Sequence, residues 1–128
     1  MELRILIVDD SERVRGSIRC MLESRHWTVC GEAGNGMEGL QKFQAVNPDL
    51  VVIDLAMPDL NGFEVAKRMS TLNSKVPLIL FTVIDITGLA THAKSVGISA
   101  VVSKLQAWDL LRVIADTTKE MKSDAPVQ

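Results

Sequence analysis

Short apolar runs recur along the chain, separated by stretches in which apolar residues return every third or fourth position. The runs are Leu3–Val8, Thr28–Cys30, Leu50–Ile53, Leu78–Phe81 and Ala100–Val102. Each is short, Thr28–Cys30 is the weakest, and three are continuously apolar, which suits strands buried on both faces. Between them, Val14, Ile18, Met21 and Leu22 fall at helical spacing within Ser11–Arg25, with Ser11 placed as N-cap. Similar spacing predicts helices over Gly36–Val46, Gly62–Leu72 and Gln106–Met121, and a weaker one over Thr87–Val96 ended by Gly97. The turn chemistry of NPD, MPDLNG and KVP separates these elements. The order is strand then helix, five times, which implies an α/β doubly wound parallel sheet with helices on both faces. Residues 1–122 form one domain on this pattern, and 123–128 read as a tail or the start of a linker.

The polar residues at the strand ends change the picture. Asp9 and Asp10 end the first run, Asp54 the third, Thr82 the fourth, and Lys104 follows the fifth. In an open parallel sheet these ends share one edge, and ligands bind there. Carboxylates brought together repel and raise one another's pKa values unless a cation joins them. Oxygen-only donors in a wet site favour a hard ion, here Mg²⁺. Each residue alone has a plainer explanation: Asp9 and Asp10 as helix-terminus charges, Asp54 as a turn residue, Thr82 as structural, Lys104 as a solvated lysine. Their coincidence on one edge is what points to a site.

Composition narrows the classes. The chain has 128 residues, 14 basic and 16 acidic, for a net charge of -2. That balance offers no dedicated nucleic-acid or membrane surface. No apolar run approaches the roughly 20 residues that span a bilayer, and MELRILIVDD is not a signal peptide, so a cytoplasmic location is expected. Cys20 and Cys30 lack metal spacing and are expected to be small core residues. Trp27 and Trp108 are expected to be partly buried, and the internal methionines outside the Met57 loop to fill core gaps. His26 and His92 have no partner at useful spacing. Gly34–Gly39, GNGMEG, fits the dinucleotide-binding fingerprint, with Asp54 at the right distance. The preceding TVCGEA is too polar for such a strand, however, and Glu32 would oppose a pyrophosphate. A flexible turn, with Gly36 easing the helix start, is the simpler account.

The segments ILIVDD, PDLVVIDLAMPDLNGFEV, PLILFT and VSK resemble the receiver domain of two-component response regulators, from Ile5 to about Met121. VCGEAGNGMEGL also resembles receivers joined to helix-turn-helix DNA-binding domains. The resemblance implies a flavodoxin-like (βα)₅ fold of strand order 2-1-3-4-5. It implies that Asp54 accepts a phosphoryl group from a histidine kinase or phosphotransfer protein. Asp10, Asp54 and the backbone carbonyl of Ala56 would bind Mg²⁺ directly, Asp9 through a water, while Lys104 and Thr82 would contact the phosphoryl oxygens. The domain would then be a switch that assists its own phosphorylation and dephosphorylation rather than an enzyme. It would act on a downstream protein or output domain, with no nucleic-acid or membrane contact of its own and with homodimerisation left open.

Several positions depart from the family pattern. Val101 stands where an aromatic residue is common, Leu105 where proline usually follows the lysine, and Val83 where a small residue is usual. A trans bond to Leu105 is expected, since cis would cost roughly 2.5–4 kcal/mol. Ala56 and Ile84 flank the pocket with no hydrogen-bonding side chain, which predicts a long-lived acyl phosphate. The alternatives are a degenerate receiver that switches without phosphate, a Mg²⁺-dependent phosphatase and a dinucleotide-binding domain. The phosphatase would need an acid two residues past Asp54, where Ala56 stands.

Overall fold

The computed structural model describes residues 2–123, with side-chain surroundings for 2–119. Its strands are β1 (Arg4–Val8), β2 (Thr28–Ala33), β3 (Leu50–Ile53), β4 (Leu78–Thr82) and β5 (Ala100–Ser103). They pair in parallel in the order β2-β1-β3-β4-β5. The helices are α1 (Glu12–Glu23), α2 (Gly36–Val46), α3 (Gly62–Leu72), α4 (Leu89–Ser95) and α5 (Trp108–Ser123). The expected tail beyond Ser123 lies outside the described residues.

Burial on both faces explains the unbroken apolar runs. Leu6, Val8, Val51, Ile53, Leu78 and Leu80 face a core completed by Leu40 and Phe43 of α2, Val65 and Met69 of α3, and Ala93 of α4. Ile5, Ile7, Leu50, Val52, Ile79 and Phe81 face the opposite core, closed by Ile18 and Leu22 of α1 and by Leu110 and Ile114 of α5. Successive strand residues point to opposite faces, so the middle positions of the central strands are apolar on both. β2 is one of the two edge strands and is half-buried for most of its length, which is why its pattern is weak. A register shift opposite Ile5 and Leu6 leaves Cys30 as an extra residue in β2.

Capping side chains start three helices where the sequence places them. Ser11 Oγ accepts from Val14 N–H at 3.2 Å, Asn35 Oδ1 from Glu38 N–H at 2.8 Å, and Asn61 Oδ1 from Glu64 N–H at 3.0 Å. α4 has no such cap and is shorter than its predicted range. The last helix begins at Trp108 rather than Gln106, because Lys104–Gln106 forms a 3₁₀ turn first.

Three expected burials are corrected. Cys20 is exposed on the solvent side of α1 rather than in the core, and Cys30 is half-buried. Met37 is 50% exposed and Trp108 70% exposed, so neither fills a gap in the core. All three exposed residues lie on helices, where a slip of one position around the turn separates the core face from solvent.

Candidate functional site

The carboxyl end of the sheet gathers the polar residues. The carboxylate oxygens of Asp9, Asp10 and Asp54 lie within 4.8 Å of one another. Asp9 is 2% exposed and Asp54 6%, whereas Asp10 is exposed. Backbone bonds fix their placement. Asp54 N–H donates to the Val8 carbonyl at 2.9 Å, and Asp9 N–H donates to the Ala33 carbonyl at 3.0 Å, so each acid simply extends its strand's ladder.

Lys104 reaches across the sheet edge from the end of β5. Its Nζ lies 2.7 Å from Asp9 Oδ2 and 3.4 Å from Asp54 Oδ1, with the Phe81 ring centroid 6.0 Å away. Asp9 Oδ1 accepts from Ser11 N–H at 2.9 Å, so both oxygens of Asp9 already have a donor. Thr82 is fully buried, and its Oγ1 accepts from Ile84 N–H at 3.2 Å. Burial pushes the Asp54 carboxyl above its ordinary range, opposed by Lys104 and reinforced by Asp9 and Asp10. A carboxylate set that one ammonium neutralises only in part is a fit site for a divalent cation, and its all-oxygen chemistry suits Mg²⁺.

The loop after Asp54 is held tightly. Gly62 N–H donates to the Leu55 carbonyl at 2.8 Å, and a Cβ on Gly62 would lie 2.4 Å from the Asp54 carbonyl oxygen. Only glycine allows the start of α3 to approach the strand end so closely. Ala56 is exposed two residues past Asp54, and Ile84 is 42% exposed and Val83 63% exposed on the loop after β4. Among the described residues there is no cis peptide bond, as expected at Leu105.

Sequence reasoning missed two groups. Arg15 Nη1 donates to the Asp9 carbonyl at 2.7 Å, while Arg15 Nε lies 3.3 Å from Glu32 Oε1 and Arg19 also pairs with Glu32. The signal was available: an unexplained glutamate in a strand, and two arginines four residues apart on α1. Asp59 is the second. Its Oδ1 accepts from Gly36 N–H at 2.8 Å and from Leu60 N–H at 2.7 Å, and its Oδ2 from Met37 N–H at 2.9 Å. These bonds, the one from Met37 foremost, hold the Asp59 carboxyl below its ordinary range. A carboxylate therefore fills the place at the start of α2 that a pyrophosphate would need in a dinucleotide site. Gly36 serves close approach there rather than flexibility, since a Cβ would lie 2.8 Å from Val65 Cγ2.

Five parallel strands in this order, with acids and a lysine gathered where the strand order reverses, place the chain among the flavodoxin-like α/β domains. Within that class the match is specific. The family model for the response regulator receiver domain matches residues 5–116, and the chain belongs to that family. Receiver domains serve two-component signalling, consistent with a phosphorylation-controlled switch. A protein-glutamate methylesterase/protein-glutamine glutaminase of Trichodesmium erythraeum is 41% identical over 88 residues, covering 68% of this chain and 25% of that protein. A putative transcriptional regulator of Pseudomonas aeruginosa is 33% identical over 101 residues, covering 79% of this chain and 49% of that protein. The chain thus spans a quarter to a half of the length of these curated relatives. The structure of a CheY-like receiver domain protein from Methanospirillum hungatei superposes with a TM-score of 0.88 at 25% identity, covering 98% of this chain and all of that one. No helix among the described residues is long and apolar enough to cross a membrane.

Proposed function

We propose that the domain accepts a phosphoryl group on Asp54 from the phosphohistidine of a histidine kinase or phosphotransfer protein, and that the modified pocket alters a face bound by a downstream protein or output domain. The observation that carries this is the buried Asp54 carboxylate set among Asp9, Asp10 and Lys104 at the sheet edge. Asp10, Asp54 and the Ala56 carbonyl would hold Mg²⁺ directly. Both oxygens of Asp9 already have a donor, which supports a role for it through water. When bound, Mg²⁺ supplies charge neutralisation at the transferring phosphoryl oxygens.

The chain's own residues do the rest. An Asp54 carboxylate oxygen attacks phosphorus in line; the new O–P bond forms as the P–N bond breaks, and its electron pair stays on the imidazole nitrogen. The Lys104 ammonium, held near the pocket by Asp9, meets the transferred oxygens. The Thr82 oxygen already accepts Ile84 N–H, which leaves its O–H proton to donate to a phosphoryl oxygen. Because Thr82 and Ile84 are joined, movement of that hydroxyl toward the phosphoryl group draws the loop before α4 with it. No aromatic residue at Val101 is needed for this first step.

Intact mass after treatment with acetyl phosphate and Mg²⁺ tests the chemistry. The parent gains one phosphoryl group and Asp54→Asn gains none. An adduct on both, or on neither, overturns it, and neither would favour the degenerate receiver.

A further inference from the structure

The geometry points to Asp59 as a positioning residue: its carboxylate latches the loop that follows Asp54 onto the start of α2, and so holds the Ala56 carbonyl in place to bind Mg²⁺. This rests on the proposed role of Ala56. Strand β3 ends at Ile53, and the chain then crosses open surface, where Ala56, Pro58 and Asp59 are exposed. The near end is tied by Gly62 to the Leu55 carbonyl. Among the described residues, the hydrogen bonds that join residues 56–60 to another element are those Asp59 accepts from Gly36 and Met37. Met57 and Leu60 add apolar packing to the same core that α2 and α3 share.

Two features of α2 fit the latch. Its first N–H groups point out along a favourable dipole, and a fork of two carboxylate oxygens meets two of them, while Asn35 meets the third. Gly36 leaves the space the loop needs: a Cβ there would lie 2.9 Å from Leu60 Cβ and 3.3 Å from Asp59 Oδ1. A carbonyl three residues before such an anchor has little freedom to swing away. Mg²⁺ demands near-ideal octahedral placement of its oxygens, so a ligand on a loose loop lowers affinity.

The test measures Mg²⁺ affinity by calorimetry on the full chain, with amide hydrogen exchange at Gly36 and Met37 followed without metal. Asp59→Ala should weaken Mg²⁺ binding about fivefold, the order of effect of losing one capping carboxylate, and should speed exchange at both amides. Asp59→Asn keeps one acceptor oxygen and should weaken it about twofold, and it carries the test if the alanine variant fails to fold. Gly36→Ala keeps the carboxylate's charge but crowds the latch, and should weaken Mg²⁺ binding in the same direction. Faster exchange and a lower melting temperature with unchanged Mg²⁺ affinity would reduce Asp59 to a helix cap and overturn the proposal. Weaker binding in the Asp59 variants alone, with Gly36→Ala binding like the parent, would assign the effect to charge and overturn it too. A parent that binds no Mg²⁺ refutes the metal site itself, a different failure.

Discussion

Replacing Lys104 by methionine keeps much of the side chain's length and removes its charge. The ammonium lies 2.7 Å from Asp9 and 3.4 Å from Asp54, and the three side chains are 13%, 2% and 7% exposed. At an effective dielectric near 20, single charges at those distances attract by about 6 and about 5 kcal/mol. The net effect is smaller, because the ammonium regains hydration on unfolding and because exposed Asp10 lets water reach the acids. Removing one partner of a buried pair costs roughly 3–5 kcal/mol, and a site open on one side should lose about 2–3 kcal/mol. Urea unfolding with and without millimolar Mg²⁺ measures it. Without metal, Lys104→Met should show that full deficit. With metal, the deficit should shrink, because a divalent cation among the same carboxylates replaces the missing charge and stabilises the folded form by mass action. A deficit below about 0.5 kcal/mol, the size of an exposed pair, would refute the reasoning. So would a deficit of equal size in both conditions.

Three further outcomes are expected. Asp54 has its pKa raised by burial, so the folded state holds that proton more tightly than the unfolded chain, and the ionised group opposes folding. Asp54→Asn should therefore be the more stable form at neutral pH without metal, with the difference closing as pH falls through the raised folded pKa; melting curves against pH check this, and a less stable variant at neutral pH counts against it. Ala56→Asn and Ile84→Gln should each shorten the life of the acyl phosphate about tenfold or more by aligning a water, followed as phosphate release; a parent half-life of seconds would remove the basis for this. Gly62→Ala drives a Cβ to within 2.4 Å of the Asp54 carbonyl oxygen and should lose about 2–4 kcal/mol in denaturant melts, so a variant within experimental error of the parent would show that the loop gives way freely.

Much of the fold was legible because burial on both faces writes continuous apolar runs. The bounds of β3, α2 and α3 match the sequence pattern residue for residue. The edge strand β2 was longer than its apolar run, since an edge tolerates Gly31 and Glu32 where a central strand would not. Asp9, Asp10, Asp54, Thr82 and Lys104 could be placed together because a parallel sheet puts all its strand ends on one edge. The start of α5 was misplaced because Ser103 Oγ accepts from Leu105 N–H and turns the chain once before the helix. Asp59 was illegible for a different reason. Its partners Gly36 and Met37 lie more than 20 residues away on a separate element, and no periodicity links a loop carboxylate to another helix's N-terminus.

The pocket is built between a fixed side and a soft one. On the side of α2 and α3, Asn35, Asn61, Asp59 and Gly62 each contribute a specific tie, and α3 buries Val65, Ala66 and Met69. On the side of α4, the helix has seven residues, no capping side chain and a single buried residue, Ala93. Local opening free energies follow buried contacts and satisfied ends, so the two sides respond differently to the same electrostatic pull. A charge added at the end of β3 finds little give toward α3. Toward β4 it meets Thr82, whose oxygen is bonded to Ile84 on a loop with Val83 and Ile84 exposed and a weakly held helix beyond. Under the proposed phosphorylation of Asp54, displacement is therefore expected toward α4, whose capping and buried contacts are fewer, rather than toward α3.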